Sequence, residues 1–131
     1  MIMQSSFIDT NIFIEVFARK GIKSNNSKKL LERNVGLTTS SLVFSEVEWV
    51  LRAGYEAKKE LVVRCLKKIL TLGIKIDNKK TLIDALSHYE TNNVDWTDCV
   101  NMFLIKEDKV SKVYSYDKGL NKYNWIKRLE P

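Results

Sequence analysis

Ser6-Phe7-Ile8-Asp9-Thr10-Asn11-Ile12-Phe13-Ile14 is the stretch whose reading decides the fold. An apolar pair runs straight into Asp-Thr-Asn, and apolar residues resume at once. This predicts a short buried strand ending on a carboxylate, with a helix immediately after it. Asp9 has a structural explanation ready, because Asp, Thr and Asn are all good helix N-caps. It also stands where open α/β sheets bind their ligands, in the crevice beyond the strands' carboxyl ends. Which role applies depends on whether carboxylates recur in equivalent places.

Downstream, helical and β-branched segments alternate. Helices are expected over residues 12–17, closed by Gly21, and over 24–33, followed by a strand over 35–39. Residues 40–51 form a serine-capped amphipathic pattern, and 58–72 another helix that Gly73 stops. A third strand is expected at 74–76, a helix at 79–90, and a further helix opening at Asp95 and running through Ile105. Residues 113–117 predict a fourth strand that again ends on a carboxylate, Asp117, and 125–129 an edge strand. This order predicts an α/β fold with a mainly parallel sheet and helices on both faces. The 131 residues are expected to make one domain, 1–131.

A hydrophobic content of 44% with 29% charged residues fits a folded globular chain rather than a disordered one. No apolar run approaches the ~20 residues of a membrane span, and no charged-then-apolar leader precedes Asp9. A cytoplasmic protein without a membrane partner is expected, with Cys65 and Cys99 as reduced, buried thiols. Neither cysteine has a Cys or His at metal-ligand spacing, so no structural zinc site is visible. The net charge of +6 is compatible with a polyanionic partner but does not require one.

The remaining acids separate by position. In the helix over 40–51, Leu42, Val43, Val47, Val50 and Leu51 define an apolar arc at about 100° per residue. Glu46 falls inside that arc and is expected to be buried, which calls for a partner, a metal or a raised pKa. Glu48 falls outside it and is expected in solvent. Asp95 suits the N-cap of its helix with Asp98 in the first turn, and Asp98 shares a side with Met102 and Ile105. Asp117 repeats the strand-end placement of Asp9, with a turn at Asp117-Lys118-Gly119 as its structural alternative. Strand-end aspartates and helix acids gathered at one sheet edge would repel one another unless hard cations neutralised them.

These pieces resemble the PIN-domain proteins, and specifically the VapC toxins of bacterial toxin–antitoxin pairs. The resemblance rests on Phe7-Ile8-Asp9-Thr10-Asn11, residues 40–51 around Glu46, Val94-Asp95-Trp96-Thr97-Asp98, and Tyr114-Ser115-Tyr116-Asp117-Lys118-Gly119. It spans essentially the whole chain in order. It implies an α/β/α sandwich around a parallel sheet and Mg²⁺- or Mn²⁺-dependent endoribonuclease activity. It also implies a homodimer and a cognate VapB-type antitoxin that plugs the site. Residue by residue, the acidic site maps to Asp9, Glu46, Asp98 and Asp117. Asn11 and Ser115 match supporting positions, and Asp95 a frequent extra acid. The chain departs from the pattern at Cys99, Asn101 and Ser115, none of which removes a carboxylate.

The expected chemistry is attack by a metal-activated water on an RNA backbone phosphorus. Asp9, Asp98 and Asp117 would hold the ion, with Glu46 as ligand or orienter. Lys118 and Lys122 are the local candidates for gripping RNA, whereas the basic run over 58–68 suits a solvated helix face. His88 is expected to be structural. A non-catalytic PIN-like module that only binds RNA or protein is the alternative. A receiver-type or haloacid-dehalogenase-type phosphoryl-transfer domain ranks lower, because Asn11 stands where a second Asp would be needed.

Overall fold

The computed structural model describes residues 5–33 and 35–131, which divide into two compact units, Met1–Lys79 and Lys80–Pro131. In the first unit β1 (Ser6–Phe7), β2 (Leu37–Thr39) and β3 (Lys75–Ile76) form a parallel sheet in the order β1-β2-β3. Ser6 pairs with Leu37, and Thr38 with Lys75. Parallel neighbours need long crossovers. Here α1 (Thr10–Ala18) and α2 (Ile22–Glu32) supply the first, and α3 (Ser41–Trp49) and α4 (Lys59–Thr71) the second. The strands are shorter than the β-branched runs that announce them: Val35 and Gly36 lie ahead of β2, and Ile74 ahead of β3.

Two boundaries have particular causes. Gly21 does not close α1. Its φ of +118°, costly for any residue with a side chain, starts α2 instead, and α2 opens at Ile22 rather than Ser24. After Trp49 the chain widens into a π-helical turn, Val50–Gly54, where the Tyr55 N–H donates to the Val50 carbonyl at 3.1 Å.

The start of α3 is held from both sides. The Ser40 Oγ accepts from the Val43 N–H at 3.1 Å. Asp77, just beyond β3, accepts from the Ser41 N–H and hydroxyl, both at 2.7 Å. Partial burial pushes the Asp77 carboxyl up, but these bonds outweigh it and hold it below its ordinary value. Sequence reading passed over Asp77, although it follows β3 much as Asp9 follows β1.

The second unit contains α5 (Lys79–Thr91), which starts at the boundary, α6 (Trp96–Glu107), and a separate parallel pair, β4 (Lys112–Tyr114) with β5 (Lys127–Leu129). The described strands therefore form two parallel sheets rather than one. Met102, Leu120 and Tyr123 centre the unit's core, with Val94, Ile105, Val113, Trp125 and Ile126 packed around them. His88 lies among aromatic rings, 5.4 Å from Tyr123 and 5.6 Å from Phe103 between centroids, which is the structural role expected of it. Cys65 and Cys99 are both buried and free, and the Cys99 thiol donates to the Ala85 carbonyl at 3.2 Å. Asn101 is exposed, so its amide needs no partner inside the core. Among the described residues no helix is long and apolar enough to cross a membrane.

On α3 the two glutamates are the reverse of the expectation. Glu48 is buried, with 1% exposure, among Val43, Phe44, Val47 and Leu51, while Glu46 is exposed. Leu42 and Trp49, at 78% and 59% exposure, share the outward face with Glu46. The expected arc takes in Leu42 at its edge and leaves out Phe44. With Leu42 outside and Phe44 inside, the buried direction turns away from Glu46 and towards Glu48. The charge of Glu48 is met by Arg52 one turn on, with Nε 2.7 Å from Oε2. Arg52→Met takes that guanidinium from a buried carboxylate and is expected to cost about 2 kcal/mol, because the exposed arginine end limits the loss. The double variant Glu48→Met/Arg52→Met is expected to recover most of it, both read from urea denaturation midpoints; a double variant less stable than the single one would contradict this.

Candidate functional site

The acids singled out in the sequence fall into two groups, one in each unit. In the first unit Asp9 ends the extended segment and caps α1. Its φ of −86° and ψ of 167° are those of an N-cap, and Oδ1 accepts from the Thr10 N–H at 2.7 Å. The cap role and exposure to a cavity coincide. Asp9, Thr10, Asn11 and Glu46 line an open pocket of about 300 Å³, completed by Ile14, Val50 and Tyr55. Glu46 reaches it from α3, and the π-helical turn brings Val50 and Tyr55 to its wall. Thr10 is buried, and its Oγ1 has no hydrogen-bond partner among the described residues. Such an atom is usually satisfied by water, an ion or a ligand.

In the second unit Asp95 caps α6 as expected, its Oδ2 accepting from the Asp98 N–H at 3.0 Å. Asp117 caps the 3₁₀ turn Lys118–Lys122, its Oδ1 accepting from the Gly119 N–H at 2.8 Å. Ser115 supports it: the Asp117 N–H donates to the Ser115 Oγ at 3.0 Å. Gly119 leaves room for this approach, since a Cβ there would lie 3.0 Å from Asp117 Oδ1 and the carboxylate would have to give way by a few tenths of an ångström. Sequence reading saw a turn at Gly119 and missed that close contact.

Asp98 records the crowding of these groups. Partial burial pushes its carboxyl up, the charges of Asp95 and Asp117 push it further, and a hydrogen bond with Asp117 favours its protonated form. Tyr123 is also drawn in. Its hydroxyl is buried without a hydrogen-bond partner among the described residues, and burial together with Cys99, Asp98 and Asp95 raises its pKa. Nothing in the sequence marked Tyr123 beyond its aromatic character. Lys118 is exposed, whereas the Lys122 Nζ donates to the Asn93 carbonyl at 3.0 Å and helps hold the loop after α5.

Among the described residues, no three His, Cys, Asp or Glu side chains are arranged as a ready metal cluster. The donor chemistry nevertheless suits a hard divalent cation. Every acid is an oxygen donor, and Asp95, Asp98 and Asp117 are close enough to raise a pKa by mutual repulsion.

The shift of Asp98 carries a stability consequence. A carboxyl whose folded pKa lies above its unfolded value destabilises the fold once pH exceeds both, and the penalty disappears on acidification to below the unfolded value. Asp98→Asn is therefore expected to raise the melting temperature of metal-free protein at pH 7. That gain should shrink as pH falls toward the ordinary carboxylate range. A variant no more stable than the parent at pH 7, by thermal melts across pH, would show that burial and crowding of this carboxyl have no energetic effect.

With the geometry described, comparison with known proteins gives the chain its relatives. A comparison with curated proteins gives no match. Among solved structures, the sarcin–ricin-loop-cleaving toxin VapC20 of Mycobacterium tuberculosis is similar. It shares 14% identity with a TM-score of 0.44, over 95% of this chain and 98% of that one. The PIN domain family model matches residues 6–126, which includes every acid discussed above. The chain belongs to the PIN domain family.

Proposed function

We propose that this chain is a divalent-metal-dependent endoribonuclease of the VapC toxin kind. One observation carries the reading: a strand-end aspartate and a helix glutamate, Asp9 and Glu46, line the same open pocket in a PIN domain. The proposed ligands of Mg²⁺ or Mn²⁺ are Asp9 in the first unit and Asp98 and Asp117 in the second, with Glu46 of the first unit as a further ligand or the orienter of water. Bound there, the ion would lower the pKa of water and offset charge on the phosphodiester.

The chain's own residues supply position. The Thr10 N–H fixes the Asp9 carboxylate and the Gly119 N–H fixes that of Asp117, so neither has to be ordered when substrate arrives. Asp95 holds the first turn of α6 and thereby Asp98. Asn11 offers an amide at the pocket wall, and Ser115 holds the backbone of Asp117. Lys118 and Lys122 are proposed to meet RNA phosphates. A VapB-type antitoxin and a second copy of the chain are the proposed protein partners. The exposed Leu42 and Trp49, on the same face of α3 as Glu46, give a protein partner apolar surface beside the acid.

Cleavage of a labelled RNA pool tests the reading. Activity is expected with Mg²⁺ or Mn²⁺ and not with EDTA, leaving 5′-phosphate and 3′-hydroxyl ends. Asp9→Asn and Glu46→Gln are each expected to lower it at least ~100-fold, about 2.7 kcal/mol of transition-state stabilisation. Mn²⁺ at about 100 times its Kd should stabilise the fold by about 2.7 kcal/mol, read as a rise in melting temperature. Cleavage that persists in EDTA, or is unchanged in both variants, overturns the assignment.

A further inference from the structure

Positive charge gathers in two runs of the chain. Residues 58–68 carry five Lys and Arg against Glu60, and between Arg19 and Arg33 six stand against Glu32 alone, a local excess of five. Part of this stretch is shaped into a cleft. Arg19, at the end of α1, and Lys23, in the first turn of α2, line a cavity of about 470 Å³ with Asn11, Glu15 and Asn26. Glu15 pairs with the Arg19 Nε at 3.5 Å, but the arginine side chain is 60% exposed. An ion pair in that setting is weak and screened, and an incoming anion displaces it readily.

Position gives the cleft its meaning. Asn11 lines both this cavity and the pocket that holds Asp9 and Glu46, so the two are adjoining within the first unit. A ligand that spans them must be anionic along the cleft and must present a phosphate at the acids. An acidic peptide has the first property but not the second. An apolar helix finds only Ile12 as a sizeable apolar side chain in the lining. A nucleic acid strand satisfies both requirements.

Resting on the nuclease reading above, we infer that this cleft binds the RNA strand flanking the cleaved bond. Arg19 and Lys23 pair with successive backbone phosphates, and the amides of Asn11 and Asn26 meet 2′-hydroxyls or base edges. A single-stranded segment offers the amides both kinds of partner, whereas pairing would withhold the base edges.

Fluorescence anisotropy of a labelled single-stranded RNA of mixed sequence tests this, with EDTA present so that no strand is cut. The full chain is compared with Arg19→Gln/Lys23→Gln over a series of salt concentrations. Each phosphate contact on a single strand contributes about 0.7 to the slope of log K against log salt. The double variant is therefore expected to flatten the slope by about 1.4, and to bind several-fold to tenfold more weakly at moderate salt. Lys28→Gln/Lys29→Gln removes the same charge from α2 outside the cleft and is expected to leave the slope within a few tenths of the parent's. Lys23→Gln alone should flatten it by about 0.7, which keeps the test valid if the double variant fails to fold. An unchanged slope in the cleft variants, or an equal loss in the Lys28/Lys29 pair, overturns the inference. Parent protein that cleaves RNA alongside such results leaves the nuclease reading standing; parent protein that neither binds nor cleaves RNA removes both.

Discussion

The first turn of a helix leaves backbone N–H groups without partners inside the helix, and a side-chain carboxylate is well suited to meet them. Much of this structure follows from that requirement. Asp9 meets it at α1, Asp77 at α3, Asp95 at α6 and Asp117 at the 3₁₀ turn. Each aspartate is thereby fixed at a junction between extended and helical backbone. Capping and chemistry do not compete here, because a carboxylate has two oxygens and several acceptor directions. The backbone bond orients the group, and acceptor capacity is left for something else.

Asp77 shows the same device in a purely structural setting. It accepts from both the N–H and the hydroxyl of Ser41, and ties the chain after β3 to the start of the helix that carries Glu46. Asp98 is different. It caps nothing in the described network, receives its position from α6, and has its pKa raised by partial burial and then by the charges of Asp95 and Asp117. The contrast separates acids whose charge is already satisfied by the fold from one whose charge is not.

The order of elements and the capping positions of the aspartates were legible from the residues, because apolar periodicity and capping chemistry are local properties. Asp9, Asp95 and Asp117 could be placed at helix starts from their neighbours alone. The faces of α3 could not. Leu42 and Trp49 are apolar and exposed, Glu48 is charged and buried, and hydropathy carries no record of which apolar stripe meets the core. Only Phe44 and the Arg52 spaced one turn from Glu48 pointed the right way. Strand lengths were overestimated because β-branched residues such as Val35 mark extended backbone without saying whether a neighbour pairs with it. Tyr123 was invisible for a further reason: its significance lies in a buried hydroxyl near Cys99, Asp98 and Asp95, which is a fact of tertiary packing.

The π-helical turn at Val50–Gly54 bears on how this chain tolerates insertion and deletion. Such a turn holds one residue more than an α-turn. A single deletion within it would be absorbed by closing the turn to α-geometry, so the chain beyond could keep its fold. Tyr55, whose N–H bonds the Val50 carbonyl, would keep that partner as an α-helical bond and stay near the wall it shares with Asp9 and Glu46. Sequences that lack the extra residue would thus keep the rim of the pocket together with its acids, a heritable change of length without a change of register.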